Sequence, residues 1–211
     1  MHLHMVGVSH KTADVDVREA IAIAPAQQEQ ACRQLRTYEG IRGAVVLSTC
    51  NRTEIYVDVD DDSSAHDLVC AFIGDFKQVD RSVFEQHLFD REGIQVVHHL
   101  FSVVSSLDSM VLGEQQIIGQ TRNAFKNSVQ AGSCSMILER LFRQALSFVK
   151  RVRKETGISE SHVSLSTVAI DVARAEFDTF DDKNVLIVGS GEMSELSARY
   201  LRDLGVHSFV V

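Results

Sequence analysis

The stretch Ala44-Val45-Val46-Leu47-Ser48-Thr49-Cys50-Asn51-Arg52-Thr53-Glu54-Ile55-Tyr56-Val57 decides how the first half of the chain is read. Apolar runs at 44–47 and 55–57 flank a polar segment at 48–54, the pattern of neighbouring strands joined by a tight connection. Cys50 falls in that connection, where a thiol is exposed instead of buried and substrate can reach it. Arg52, two residues on, supplies an electropositive setting for a nucleophile or an anchor for a substrate anion. Cys50 is therefore the first candidate nucleophile. On this segment alone an inert, half-buried cysteine at a strand end is an equal alternative, because cysteine is among the residue types most often buried.

Working outward, Leu3, Met5, Gly7 and Ser9 alternate with His4, Val6 and Val8, which predicts a first strand ended by the polar turn Ser9-His10-Lys11-Thr12. A short helix is expected over 15–23 and a longer one over 25–38. Pro25 suits a helix start, where its missing N–H costs nothing, and Gly40 suits the end. Strands near 44–49 and 54–59 follow, then a helix near 64–76, and Val83 to Phe89 supplies a last strand before Gly93. The order β-α-β-β-α-β is that of a ferredoxin-like sandwich, an antiparallel sheet with helices on one face, so the expected fold class is α+β.

From Ile94 to Gly157 the apolar period changes from 2 to 3.6. Val96, Val97, Leu100, Phe101 and Val104 form one stripe, Ile117, Ile118, Phe125 and Val129 a second, and Ile137, Leu138, Leu141, Phe142, Leu146 and Val149 a third. Ser161 is a candidate N-cap for a further helix through Phe177, and the acidic segment 178–182 marks a boundary. Lys183 to Val188 then reads as a buried parallel strand running into Gly189-Ser190-Gly191-Glu192-Met193-Ser194, followed by a helix over 195–204 and a second apolar run at 208–211. Glycines 189 and 191 permit a tight turn and close approach to a pyrophosphate, and Ser194 stands where a third glycine is usual. This is the opening of a dinucleotide-binding unit. A nicotinamide domain needs more strands than remain, so the expectation is a segment of a longer protein ending in a truncated Rossmann-like βαβ unit.

With 211 residues, 45% of them hydrophobic, the chain can bury a core of one domain plus part of another. The start has no basic n-region followed by an apolar stretch, and no segment approaches the length needed to span a bilayer, so a cytoplasmic location with no membrane partner is expected. Cysteines 32, 50, 70 and 134 form no C-x-x-C pair, which argues for free thiols and against a zinc knuckle, and no metal is expected. A formal charge of −8 argues against sequence-blind nucleic-acid binding. Even so, Arg140, Arg143, Lys150, Arg151, Arg153 and Lys154 crowd one helical segment, whose ordinary reading is a solvated face with cations toward the helix C-terminus.

An exposed cysteine in one domain and a dinucleotide turn in the next suggest a covalent thioester reduced by hydride. Four segments then resemble one family in order along the chain: Gly7-Val8-Ser9-His10-Lys11-Thr12, Ser48 to Tyr56, Leu107-Asp108-Ser109-Met110-Val111-Leu112-Gly113-Glu114-Gln115-Gln116-Ile117, and Gly189 to Met193. They are similar to those of the glutamyl-tRNA reductases. The resemblance implies NADPH-dependent reduction of glutamyl-tRNA to glutamate-1-semialdehyde in tetrapyrrole (porphyrin, haem) synthesis. It implies a catalytic domain over 1–156, a linker helix over 157–181 and the start of an NADPH-binding domain over 182–211. It also implies glutamyl-tRNA as partner, glutamate-1-semialdehyde aminomutase as a candidate partner, and a homodimer for the full-length protein, with a monomer or weak dimer expected for this chain.

By that resemblance Cys50 forms the thioester and His99 tunes it or relays a proton. Thr49, Asn51, Arg52, Ser109, Glu114, Gln115, Gln116 and Gln120 bind substrate, and Gly189, Ser190, Gly191, Glu192, Met193 and Ser194 bind cofactor. Arg52 is the expected partner of the glutamyl carboxylate, where a planar bidentate donor is selective. Without the resemblance, Glu114 to Gln116 read as ordinary helix-start polarity, although Gln116 and Gln120 share one face at i and i+4. His98 and His99 are adjacent on a helix and cannot jointly hold a metal. Two other classes stay open: a tRNA-binding or partner-docking module using the basic segment, and a cysteine-dependent aldehyde dehydrogenase, whose motif order fits poorly.

Overall fold

The computed structural model describes residues 2–60, 63–159, 165–177, 179–189 and 192–210. Strand β1 (Leu3–Ser9) leads to α1 (Val15–Ile21), whose N-cap Asp14 accepts a hydrogen bond from the Val17 amide, and then through a 3-10 turn at Pro25–Gln27 to α2 (Gln28–Leu35). Strands β2 (Ile41–Ser48) and β3 (Arg52–Val59) form the hairpin around Cys50. Helix α3 (Ala65–Lys77), helix α4 (Arg81–Phe84), a 3-10 turn at Glu85–His87 and β4 (Phe89–Glu92) complete the first set of elements. Helices α5 (Ile94–Val104), α6 (Gln116–Gln130) and α7 (Met136–Glu155) follow, then α8 (Leu165–Glu176), β5 (Asn184–Leu186), α9 (Glu192–Asp203) and β6 (Ser208–Val210). The class is α+β: four strands in the order β2-β3-β1-β4, antiparallel at every junction.

Two expectations change here. The last strand begins at Phe89, not Val83, because Asp80 caps a helix at that point, accepting from the Ser82 amide and hydroxyl. Phe84 is thereby driven into the core while Val83 stays exposed. Helices also cover both faces of the sheet. Val6, Val8, Ala44, Val46, Ile55 and Val57 pack with residues of α1 to α4, and Leu3, Met5, Val45, Leu47 and Tyr56 pack with residues of α5 to α7. Burial on both sides explains why Ala44 to Leu47 is an unbroken apolar run instead of an alternating one.

The inner face of α6 also differs from its predicted stripe: Val129 is exposed, and Ile117, Thr121, Ala124 and Ser128 are buried. Small residues are required because the helix approaches the edge strand β2 closely. The Ser128 and Ser133 hydroxyls both donate to the Ala44 carbonyl, at 2.6 and 2.9 Å, and the Ala44 amide donates to the Ser133 carbonyl at 2.8 Å. These bonds occupy polar groups that an edge strand would otherwise offer to another chain.

In the C-terminal part β5 and β6 pair in parallel across α9, whose end is closed by Gly205 at φ +97°, with the Val206 and Gly205 amides bonded to the carbonyls of Leu201 and Arg202. The strand expected to be buried is not: Leu186 is 68% and Val188 89% exposed, since a two-stranded sheet leaves its apolar side chains without a covering layer. Ser161 lies outside the described residues. Among the described residues no helix is long and apolar enough to cross a membrane.

Gly7 of β1 lies directly opposite Glu54 of β3, and a Cβ there would sit 2.4 Å from the Thr53 carbonyl oxygen and 2.8 Å from the Glu54 Cα. Gly7→Ala must therefore push β1 and β3 apart. Urea denaturation is expected to show a loss of about 1–3 kcal/mol, the usual cost of overpacking.

Candidate active site

The turn carrying Cys50 is held from within. The Thr49 amide donates to the Arg52 carbonyl at 2.8 Å, and the amides of Asn51 and Arg52 both donate to the Thr49 hydroxyl at 3.2 Å. From outside, the His10 amide donates to the Asn51 carbonyl at 2.8 Å, and Arg18 of α1 reaches the Cys50 carbonyl at 3.4 Å. Every residue beside the thiol is thus fixed while Cys50 itself is exposed.

Cys50 opens onto a cleft of about 460 Å³ lined by Thr49, Cys50, Ser48 and the segment Ala22 to Pro25, with three amide side chains, Gln28, Gln120 and Asn123, on the other side. Gln28 is itself positioned, donating to the Ser48 carbonyl at 3.0 Å and accepting from Asn127 at 3.3 Å. Of the residues predicted to bind substrate, Thr49 and Gln120 line this cleft together with Cys50. Gln28, Asn123 and Arg18 were not foreseen, since α1, α2 and α6 meet the hairpin only in three dimensions.

Arg52 is elsewhere. Its side chain is 2% exposed and donates to Glu54 Oε1 at 2.6 Å, to Asp108 Oδ2 at 3.2 Å, and to the Asp108 carbonyl. Glu54, fully buried, also binds His99 Nε2 at 2.9 Å and accepts from the Tyr56 hydroxyl at 2.6 Å, and Asp108 continues outward to Lys11. A chain of polar contacts therefore runs Lys11, Asp108, Arg52, Glu54, His99. Among the described residues no hydrogen bond joins His99 to Cys50. The imidazole instead packs edge-on to Phe89 with centroids 5.5 Å apart, and its neighbour His98 is exposed.

Burial alone would push the Glu54 carboxyl up, but the hydrogen bond from His99, the charge of Arg52 and the Tyr56 hydroxyl outweigh it and hold the carboxyl below the ordinary glutamate range. Asp108 is likewise half-buried and held low by Lys11 and Arg52. His10 moves down, chiefly through burial and then through the nearby Arg52 charge, and its Nδ1 has no partner among the described residues. The signal that would have singled out Glu54 is a carboxylate two residues from both Arg52 and Tyr56, on one face of a strand buried on both sides.

Ser109 lies in the loop between α5 and α6, next to Asp108. Glu114 precedes α6, but its carboxyl is pushed up by burial instead of being favoured by the helix start. Gln115, the N-cap residue of α6, lines a second pocket of about 360 Å³ between α6 and α7, shared with Arg122, Lys150 and Arg153. Gln116 begins the helix one turn before Gln120, on the same face. At the C-terminal turn Gly189 has φ +113°, a conformation natural to glycine, and Ser194 packs close beside it. Ser190 and Gly191 lie outside the described residues, and Glu192 opens α9, followed by Met193.

A helix-clad antiparallel sheet that presents an exposed cysteine at a hairpin turn, followed by a parallel βαβ unit with a glycine turn, defines a two-part α+β protein. The family model for the glutamyl-tRNA(Glu) reductase N-terminal domain matches residues 6–156, and the chain belongs to this family. Glutamyl-tRNA reductases of Geobacter metallireducens and Solibacter usitatus are 41% and 43% identical over all 211 residues, which make up 49% and 50% of those proteins. The glutamyl-tRNA reductase structure from Methanopyrus kandleri superposes with a TM-score of 0.68 at 34% identity, covering 99% of this chain and 48% of that one. The chain thus spans about half the length of the relatives it matches.

Because the Glu54 carboxyl is held low in the folded state, its contribution is complete above the unfolded value near ~4.3 and is lost as pH falls through the lower folded value. Glu54→Gln removes one partner of a buried pair. It is expected to cost about 3 kcal/mol at neutral pH and to flatten the acid limb of stability, measured by denaturation at pH 3 to 7.

Proposed function

We propose that this chain is the half of a glutamyl-tRNA reductase, an enzyme of tetrapyrrole synthesis, that accepts the glutamyl group from the substrate. The observation that carries the reading is Cys50, exposed on a rigid turn at the mouth of an amide-lined cleft. The Cys50 thiolate attacks the ester carbonyl of glutamyl-tRNA. A C–S bond forms, the C–O bond to the ribose breaks, and the tRNA leaves as the protonated hydroxyl. Gln28, Gln120 and Asn123 supply amide donors and acceptors to the glutamyl group, with Thr49 beside the thiol. Arg52 is offered to the glutamyl carboxylate in exchange for Asp108, which Lys11 then retains, while His99 acts at one remove as a positioning residue through Glu54.

The glycine turn and parallel strand pair fit a dinucleotide, and Gly189, Ser190, Gly191, Glu192, Met193 and Ser194 would hold NADPH, which supplies hydride when bound. We read the four-stranded sheet with α1 to α4 as the ferredoxin-like βαββαβ part of a catalytic domain over 1–156. The helices α5 to α7 are added on its other face, a linker containing α8 follows over 157–181, and the cofactor domain starts at 182. The chain by itself is expected to acylate Cys50 and hydrolyse the thioester without reducing it. Mixed with glutamyl-tRNA, it should gain a glutamyl mass on Cys50 and release glutamate slowly. Equal release by wild type and Cys50→Ser would sink the proposal.

A specific observation favours a tRNA-docking role alongside: α6 adds Arg122 to Lys150 and Arg153 of α7 around one pocket, so the cations of two helices converge. Arg122→Glu and Lys150→Glu should each weaken tRNA binding and lower its salt slope by about 1, with alkylation of Cys50 leaving both unchanged. Unchanged affinity and slope in both variants would remove this role.

A further inference from the structure

On the far side of the first core, away from the Cys50 cleft, His66 and Cys70 stand one turn apart on α3, and Glu85 faces them from the 3-10 turn before β4. One ligand atom of each lies within 4.8 Å of the other two, the one such group among the described residues. His66 Nε2 is already 3.7 Å from Glu85 Oε1, close to the roughly 3.5 Å between ligand atoms on a tetrahedral zinc ion. The other ring nitrogen, Nδ1, meets both oxygens of Asp90 on β4 at 3.0 and 3.1 Å. That carboxylate fixes the proton on Nδ1 and leaves the Nε2 lone pair aimed at Glu85 and Cys70, the outer-shell arrangement that orients a metal-binding histidine.

We propose that His66, Cys70 and Glu85 form a binding site for a divalent transition metal of the zinc type, with water as the fourth ligand and Asp90 as the orienting group. An imidazole, a thiolate and one carboxylate suit zinc and disfavour magnesium or calcium, which prefer oxygen alone. Glu85 is shared at present with Arg81, which bonds it at 2.7 Å and Asp67 at 2.8 Å through the same nitrogen. When Glu85 turns to a metal, Arg81 keeps Asp67, so no charge is stranded. The buried Cys70 thiol gives up its proton to solvent as the metal–sulfur bond forms, so no other reactant is needed. The ion would join α3 to the segment leading into β4, the shortest strand of the sheet and its edge. Sequence alone offered no C-x-x-C or H-x-x-x-H signal, because the ligands and their orienting group come from three elements.

Titration of the chain with Co²⁺ is expected to give one equivalent of tetrahedral cobalt with a thiolate charge-transfer band. The band should be present in wild type and in Cys50→Ser, and absent in Cys70→Ser and His66→Ala. Zn²⁺ should displace the cobalt and raise the melting temperature of wild type and Cys50→Ser, and leave that of Cys70→Ser and His66→Ala unchanged. Glu85→Gln and Asp90→Asn, at part-exposed positions that do not threaten the fold, should weaken Zn²⁺ affinity, by 10- to 100-fold for Asp90→Asn as an orienting group. A cobalt band that follows Cys50, a band retained in His66→Ala, or affinity unchanged in both Glu85→Gln and Asp90→Asn would overturn the site.

Discussion

The Glu54 carboxylate is fully buried beneath a helix layer, and the N-terminal part of this molecule is organised around keeping it satisfied. An isolated carboxylate at that depth would be strongly disfavoured, so charge and hydrogen bonds must converge on it from several elements. Arg52 and Tyr56 come from its own strand, spaced by two so that all three share one face, and His99 comes from α5. Opposite, Gly7 carries no side chain, which leaves room for Glu54. The position of α5 on the sheet, the glycine in β1 and the loop bearing Asp108 are linked through this one group.

That constraint separates two tasks that lie close in sequence. Residues 49–51 turn the chain and present the thiol, and Arg52, the next residue, is folded inward with its charge met by two carboxylates. The proposed role of Cys50 on so short a hairpin requires a turn that does not wander, and the inward arginine is part of what holds it. The cleft is then furnished by neutral amides from α2 and α6, with Arg18 as the cation at the turn itself.

Much of the fold was legible because it is local. Alternation predicted β1, the paired apolar runs predicted the hairpin, and the 3.6-residue stripes predicted α5 to α7. Val83 was misread because an apolar side chain beside Phe84 looks like a strand until the Asp80 cap is recognised. The stripe on α6 was misread at Val129 because serine, threonine and alanine, not large apolar residues, fit a helix lying this close to a strand. Within the site, Cys50, Thr49 and Gln120 come together in the cleft. Gln115 lines a different pocket and Arg52 pairs with Glu54 and Asp108, since one helical step or one strand position changes the face a residue occupies.

By itself the sequence determined the class of fold, the hairpin that displays Cys50, the glycine turn at 189 and the family, because each rests on residue types at short, fixed spacings. Only the tertiary structure decided that both faces of the sheet are covered and that Glu54, His99 and Arg52 form one buried network. It alone placed amides at the cleft and brought His66, Cys70 and Glu85 together. Those outcomes depend on which distant segments meet, and that is set by packing and by the need to satisfy buried charge, neither of which a short stretch of sequence records.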